Sequence, residues 1–300
     1  MPGSETKTYH AACLQFNVER GETERNLATV TAGIRAAAED GAELMVLPEM
    51  WTTSFLKEPT EDDIRRSNAA EHALLELSKE LKMMVIGSAP EVSDGRYFNR
   101  ARIFDCGEVL GTYRKIHMFS PNAEDRYMTP GSQPLVVDTR LGRIGVVICY
   151  DIRFPELTRY YFHCGVQVLA VPAQWPEARA DHWRTLIRAR AIENQSYVIG
   201  CNRIGTEGAL RNDDNFVFPG DSRIIDPMGD VIAAANGDDQ PIIAEISLRR
   251  CQSMHRILPV HEDRQPDAYR NIWLPIWSNS DEPKTPTIPT IDKATPTTKT

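Results

Sequence analysis

Residues 144–148 read Ile-Gly-Val-Val-Ile and run directly into Cys149-Tyr150-Asp151-Ile152-Arg153-Phe154-Pro155. A run that is apolar at every position presents no polar face to water, so it suits a strand covered on both sides. That strand, over 143–149, ends at a cysteine. Pro155 suits the first turn of a following helix, 155–164, because its missing N–H would have no intrahelical partner there. A second apolar strand is expected at 166–171, then a helix with Asp181 as N-cap running to Asn194, then a strand at 197–202.

Outward from this centre the same alternation continues. Strands are expected at 10–16, 43–47 and 83–88. The helix between the first two, 23–39, places Leu27, Val30, Ile34 and Ala37 on one face, and a helix over 68–81 does the same with Leu74, Leu77 and Leu81. Strands at 100–104 and 109–113, separated by 105–107, form a hairpin. Further strands are expected at 135–138, 222–225, 231–234 and 242–246, and polar residues 206–218 are expected as a variable loop. The pattern is that of an α/β (α+β) layered fold, compatible with one doubly wound sheet or with two sheets.

The chain has 300 residues, 41% hydrophobic and 25% charged. A globular chain of that length buries roughly three quarters of its unfolded surface. Apolar segments are evenly spread over residues 1–277, which predicts one domain. The final stretch, 278–300, is rich in Thr and Pro and too poor in large apolar residues to offset its ordering entropy, so it is expected to be a disordered tail. With 42 acidic against 34 basic residues the formal charge is −8, which opposes phosphate neutralisation and argues against a nucleic-acid partner. No apolar run approaches the ~20 residues needed to span a bilayer, and residues 1–7 lack a signal-like apolar core, so a cytoplasmic protein without a membrane partner is expected. Six cysteines (Cys13, Cys106, Cys149, Cys164, Cys201, Cys251) contain no C-x-x-C pair, and seven histidines show no H-E-x-x-H spacing. Neither a disulfide framework nor a metal site is expected.

Cys149 stands where a buried strand gives way to a turn, a position at which open sheets present reactive groups, although a cysteine there can equally be core. Glu49 follows the strand 43–47 and Pro48; Lys115 follows the strand 109–113. Each is explained separately as a solvated loop residue. Together at converging strand ends, a thiol, a carboxylate and an ammonium can carry out nucleophilic acyl transfer. A neighbouring lysine is expected to favour the thiolate, and burial to make Glu49 a stronger base.

Three segments resemble the nitrilase, or carbon–nitrogen hydrolase, superfamily in order and spacing: Leu47-Pro48-Glu49-Met50-Trp51, Tyr113-Arg114-Lys115-Ile116-His117 and Ile148-Cys149-Tyr150-Asp151-Ile152-Arg153-Phe154-Pro155-Glu156. Asp181-His182-Trp183, residues 188–195 and Asp226-Pro227-Met228-Gly229-Asp230 extend the likeness to about residues 8–272. The resemblance implies a four-layer α-β-β-α sandwich and a homodimer, and it assigns Cys149 as nucleophile, Glu49 as general base and Lys115 as oxyanion-stabilising cation. It further implies the Tyr150 N–H as a second oxyanion donor and a supporting role for Glu124. No cofactor is implied.

Trp51-Thr52-Thr53, Gln174-Trp175-Pro176 and Leu258-Pro259-Val260 resemble the omega-amidase-like branch, whose enzymes act on monoamides of 2-oxo dicarboxylic acids such as 2-oxoglutaramate and 2-oxosuccinamate. The alternatives are an N-carbamoyl amine, a peptide-like amide or a nitrile as substrate, or a non-catalytic binding protein on the same fold. A distal carboxylate on the substrate calls for a cation or N–H donors. Arg153 is a candidate by proximity to Cys149, or a structural arginine paired with Glu156 or Glu193. Gln174 and Trp175 are candidates for lining the pocket, Trp175 equally for packing. His117 and His182 hold structural positions in the family. Asp221 and Met228 depart from the family's usual residues, which bears on subunit packing or the pocket rim rather than on the chemistry.

Overall fold

The structure is a computed structural model and describes residues 7–270 apart from 213 and 238. The chain divides into two units, Met1–Leu258 and Pro259–Thr300. In the second, residues 259–270 contain a turn in which the Glu262 N–H donates to the Pro259 carbonyl (2.8 Å), followed by one helical turn. The expected boundary at 277/278 and the Thr- and Pro-rich tail lie outside the described residues.

The first unit begins β1 (Thr8–Cys13), α1 (Thr23–Glu39), β2 (Ala42–Val46), α2 (Glu61–Leu81), β3 (Met84–Ser93), β4 (Arg96–Asp105) and β5 (Glu108–Arg114). A short α3 (Glu124–Tyr127) leads to β6 (Leu135–Thr139), β7 (Gly142–Val146), α4 (Pro155–His163), β8 (Val168–Ala173), α5 (Ala180–Asn194) and β9 (Tyr197–Asn202). The hairpin β10 (Ile204–Gly208) and β11 (Asn215–Pro219) follows, then β12 (Arg223–Ile225), β13 (Val231–Ala234), β14 (Ile242–Ser247) and α6 (Leu248–Ile257). One six-stranded sheet has the order β14-β1-β2-β3-β4-β5 and a second β13-β12-β9-β8-β7-β6. Both are mixed, and the expected α-β-β-α sandwich is the observed architecture.

Strand alternation separates the layers. Ala11 and Cys13 of β1 join Val46, Ile86, Val146, Val168 and Ile199 in the core between the sheets, whereas Ala12 and Leu14 turn to Val30, Ile34, Leu74 and Leu77 of α1 and α2. On the outer face of the second sheet two glycines let helices approach. A Cβ at Gly145 would lie 3.0 Å from the Tyr161 ring of α4, and one at Gly200 would lie 2.9 Å from the Trp183 ring of α5. Residues 144–148 are therefore covered on both sides, as their composition requires.

Several elements differ from expectation. Helix α2 starts seven residues before 68, because Thr60 and Asp63 form a reciprocal capping box and the first two turns are mostly polar. Asp181 is not an N-cap; α5 begins at Ala180, continuing a 3-10 turn over Glu177–Arg179, and Asp181 pairs with Arg184 at 2.9 Å. The expected variable loop is largely the hairpin of β10 and β11. Among the described residues no helix is long and apolar enough to cross a membrane.

Candidate active site

Past β7, Val147 and Ile148 carry the buried strand on to Cys149, which opens a 3-10 turn, Cys149–Arg153. Cys149 has φ of +46°, a left-handed conformation disfavoured for a residue with a Cβ. Asp151 holds this strained turn. Its carboxylate accepts from the N–H of Ile148 (2.9 Å), the hydroxyl of Tyr113 (2.7 Å) and the N–H of His117 (2.9 Å), and it contacts the His117 ring Nδ1 at 2.8 Å. One buried carboxylate thus ties the cysteine turn to the segment that carries Lys115. The Tyr150 N–H precedes the turn's first internal hydrogen bond, from the Asp151 N–H to the Ile148 carbonyl (3.0 Å), and belongs to the donors that a helical start leaves without internal partners.

Lys115 is fully buried, its backbone N–H bonded to the Asn99 carbonyl at 2.9 Å. Its ammonium donates to Glu49 Oε1 (2.8 Å) and to both oxygens of Glu124 (2.9 and 2.7 Å). Glu49 lies just past β2. It also accepts from Asn99 Nδ2 (2.7 Å) and from the Gln174 N–H (3.0 Å), while Gln174 Nε2 donates to the Glu49 carbonyl at 2.8 Å. The Cys149 thiol faces the Gln174 carbonyl, Sγ to O 3.8 Å. Cys149, Glu49, Lys115, Glu124 and Gln174 line one cavity, completed by aromatic side chains that include Phe119 and Phe216.

The electrostatics follow from burial with too few cations. Burial pushes the Glu49 carboxyl above the ordinary carboxylate range and the charge of Glu124 adds to it, opposed by Lys115 and Cys149. Burial would lower the Lys115 ammonium, but Glu124 and Glu49 outweigh it and the net direction is up, so Lys115 stays charged. The Cys149 thiol is pushed well above its usual value, first by burial and then by the Glu49 charge, with Lys115 opposing. Lys115 does favour the thiolate, as expected, but burial and the Glu49 charge outweigh it. The resting group is a thiol beside a base of raised proton affinity.

Glu49, Lys115, Cys149, Glu124 and Gln174 are therefore brought together, with Tyr150 adjacent. Trp175 and Arg153 are not among the residues lining this cavity. Trp175 is buried against Trp183 (ring centroids 5.6 Å apart) and donates its indole N–H to the Arg179 carbonyl at 2.8 Å. Arg153 lies over the Trp175 ring (4.6 Å) and contacts His182 Nδ1 at 3.2 Å, while Glu193 is bound by Arg190 instead. His117 stacks on Phe154 with centroids 3.6 Å apart. Asp221 accepts from Arg184 (2.6 Å) and Arg223 (2.7 Å), and Met228 is exposed. The residue-by-residue reading missed Asn99, the pivotal role of Asp151, and a second buried cluster formed by Ser54, Arg203 and Glu207 behind Gln174. Arg203 follows β9 directly, the same strand-end position that pointed to Cys149.

A family profile described as carbon-nitrogen hydrolase matches residues 10–256. The chain belongs to the carbon-nitrogen hydrolase family. It is accordingly a hydrolase of carbon–nitrogen bonds other than peptide bonds. Among similar proteins, a 2-oxoglutaramate amidase of Bacillus subtilis (strain 168) is 34% identical over 264 residues, covering 86% of this chain and 98% of that one. A chloroplastic omega-amidase of Arabidopsis thaliana is 33% identical over 286 residues, covering 90% of this chain and 76% of the relative. These likenesses place the chain near the omega-amidase branch. The crystal structure of Saccharomyces cerevisiae Nit3, a member of branch 10 of the nitrilase superfamily, aligns with a TM-score of 0.76 at 26% identity over 87% of this chain and 97% of that one. A carbon-nitrogen hydrolase from Helicobacter pylori G27 shares the fold with a TM-score of 0.81 at 24% identity, over 89% of this chain and 99% of the other.

Proposed function

We propose that this carbon-nitrogen hydrolase is an amidase that converts monoamides of 2-oxo dicarboxylic acids, 2-oxoglutaramate or 2-oxosuccinamate, to the acid and ammonia through a thioester at Cys149. The observation that carries the mechanism is the buried thiol, carboxylate and ammonium on one cavity wall, joined through Gln174 and Lys115. The names of the two relatives support the substrate class.

In this reaction Glu49 takes the Sγ proton as sulfur attacks the amide carbon. The carbonyl oxygen becomes an oxyanion held by the Lys115 ammonium and the Tyr150 N–H. Collapse breaks the C–N bond and Glu49 returns the proton to the leaving nitrogen, so ammonia departs and a thioester remains. Water then gives a proton to Glu49 and its oxygen to the acyl carbon, and collapse of that intermediate releases the acid and restores the thiol. Glu124 holds the Lys115 ammonium in place throughout.

All six cysteines are free, as suits a reducing compartment, which supports a cytoplasmic site of action. The net charge of −8 supports a small-molecule partner rather than nucleic acid. Half-exposed Tyr160 on α4 and Ile192 on α5 support a homodimer built on those helices, which sedimentation tests. For the chemistry the test is ammonia release from 2-oxoglutaramate, 2-oxosuccinamate, N-carbamoyl amines and simple amides. The two oxo-acid amides should lead the panel, and Cys149→Ala should abolish turnover with all of them. Turnover that survives Cys149→Ala overturns the mechanism.

A further inference from the structure

The catalytic cavity is small, ≈ 20 Å³, about the space one water needs. A five-carbon monoamide cannot be housed there entirely. Next to it lies a cleft of ≈ 400 Å³ in the range of small-ligand sites, and Phe216 belongs to the walls of both. Arg179 and Arg211 line this cleft with Pro121 and Ala209, and neither arginine has a carboxylate partner among the described residues. The Arg179 guanidinium lies 5.8 Å from the centroid of Phe119, a ring that lines the catalytic cavity. Arg179 closes the 3-10 turn that follows Pro176, which also lines that cavity; its N–H donates to the Pro176 carbonyl (3.0 Å) and its own carbonyl takes the Trp175 indole N–H.

We infer that Arg179 and Arg211 form the subsite for the distal carboxylate of the substrate, the reacting amide lying at Cys149 and the chain passing Phe216 into the cleft. The inference rests on the substrate class proposed above and names the groups that would select it. In an extended five-carbon monoamide the amide and carboxylate carbons are four bonds, roughly 5 Å, apart, a span of the same order as the ring separating Arg179 from the cavity. Guanidinium forks suit carboxylates because two parallel N–H donors meet two oxygens. Among the described residues the one carboxylate lining the cleft is Asp214, which accepts from the Asn212 side-chain amide (2.6 Å), so that the two guanidiniums outnumber it. Local repulsion points the same way: burial first, and the charge of Arg179 after it, hold the Arg153 guanidinium below its usual value. An anion beside Arg179 would relieve that crowding, in a protein whose overall charge is negative.

The test uses Arg179→Gln, Arg211→Gln, the double variant and Arg179→Lys in the full chain, with melting curves to confirm folding. Calorimetry with 2-oxoglutarate, the dianionic product, reads the subsite directly. Steady-state rates with 2-oxoglutaramate and with its uncharged methyl ester give a discrimination ratio. The double variant should bind 2-oxoglutarate about tenfold or more weakly, as loss of charge-assisted hydrogen bonds implies, and its discrimination ratio should fall by a similar factor. Arg179→Lys should retain part of both. Added salt should weaken wild-type binding more than that of the double variant. Equal binding of 2-oxoglutarate by wild type and double variant, or none by wild type, overturns the subsite. Failure of the substrate proposal looks different: uncharged amides would outrun 2-oxoglutaramate while 2-oxoglutarate still binds through the two arginines.

Discussion

On one side of Gln174 a single ammonium, Lys115, faces two carboxylates, Glu49 and Glu124; on the other, two guanidiniums, Arg203 and Arg20, share one carboxylate, Glu207. Gln174 touches both clusters, donating its backbone N–H and Nε2 to Glu49 and accepting at Oε1 from Arg203 (3.0 Å). The opposite imbalances set opposite roles. Where carboxylates exceed cations in a buried site, one carboxylate holds a proton more tightly than it would in water, and that group can act as a base. Where cations exceed carboxylates, Glu207 is held by Arg203 (2.9 Å), Arg20 (2.7 Å) and the Ser54 hydroxyl (2.8 Å), and it serves as a brace.

Removing the cation from each cluster separates chemistry from support most widely. Lys115→Met leaves two buried carboxylates without their ammonium and removes an oxyanion donor. It should lower kcat by at least about 10³-fold and stability by about 3–5 kcal/mol. Arg203→Met should cost similar stability, since its guanidinium is equally buried, but lower kcat only about tenfold through Gln174. Urea unfolding and steady-state kinetics check both. Equal loss of kcat in two folded variants would erase the distinction.

The carboxylates give the next contrast. Glu49→Gln preserves shape and removes the base, for an expected loss of about 10²- to 10⁴-fold in kcat, whereas Glu207→Gln should stay within about tenfold. Single-turnover ammonia release measures each without interference from product release. A Glu207→Gln enzyme as impaired as Glu49→Gln would mean that Glu207, which also lines the cavity, takes part in the reaction.

The pH profile sharpens the comparison by sign. Activity needs ionised Glu49, so kcat/KM should rise with pH through a value above the ordinary 4.5 of a glutamate. Glu124→Gln removes a neighbouring negative charge and should move this acid limb to lower pH; Glu207→Gln should leave it in place. Stability runs the other way. A carboxyl whose pKa is raised by folding contributes stability that is fully present below 4.5 and lost as pH rises through its folded value, so Glu49 alone opposes folding near neutrality. An acid limb in Glu124→Gln that stays put or moves upward would contradict the assignment of Glu49's shift.

How much of this could be read from the chain depended on whether the cause was local. Cys149, Glu49 and Lys115 were visible because each follows a strand whose composition marks it, and strand ends converge in layered folds. The early turns of α2 were invisible because Glu61, Asp62 and Asp63 carry no apolar stripe; the Thr60 cap fixes them. The makeup of the two sheets rests on distant pairings, such as β14 returning to β1 with Thr8 opposite Ser247, that no local pattern encodes. Asp151 lies within a motif, but three of its four contacts, to Tyr113 and His117, join segments more than thirty residues apart. The net shift of Cys149 was not legible for the same reason: a lysine nearby, which does favour the thiolate, can be guessed from sequence, but the depth of burial that outweighs it cannot.

Gln174 itself should give the smallest effect and the finest discrimination. Gln174→Leu keeps the backbone N–H on Glu49 and the carbonyl facing Cys149, but loses the side-chain amide that ties the Glu49 carbonyl to Arg203. Leaving Arg203 short of an acceptor should cost about 1–3 kcal/mol of stability. If the amide positions Glu49, kcat should fall about tenfold with little change in KM, because a base displaced by a fraction of an ångström loses rate rather than substrate affinity. The acid limb should also move to higher pH, since a loosened Gln174 N–H donates less well to the ionised carboxylate. Gln174→Glu would place a third carboxylate beside Glu49 and should move the limb further in the same direction. A Leu variant with altered KM, unchanged kcat and an unmoved pH profile would make Gln174 a wall of the pocket and leave the two clusters electrostatically independent.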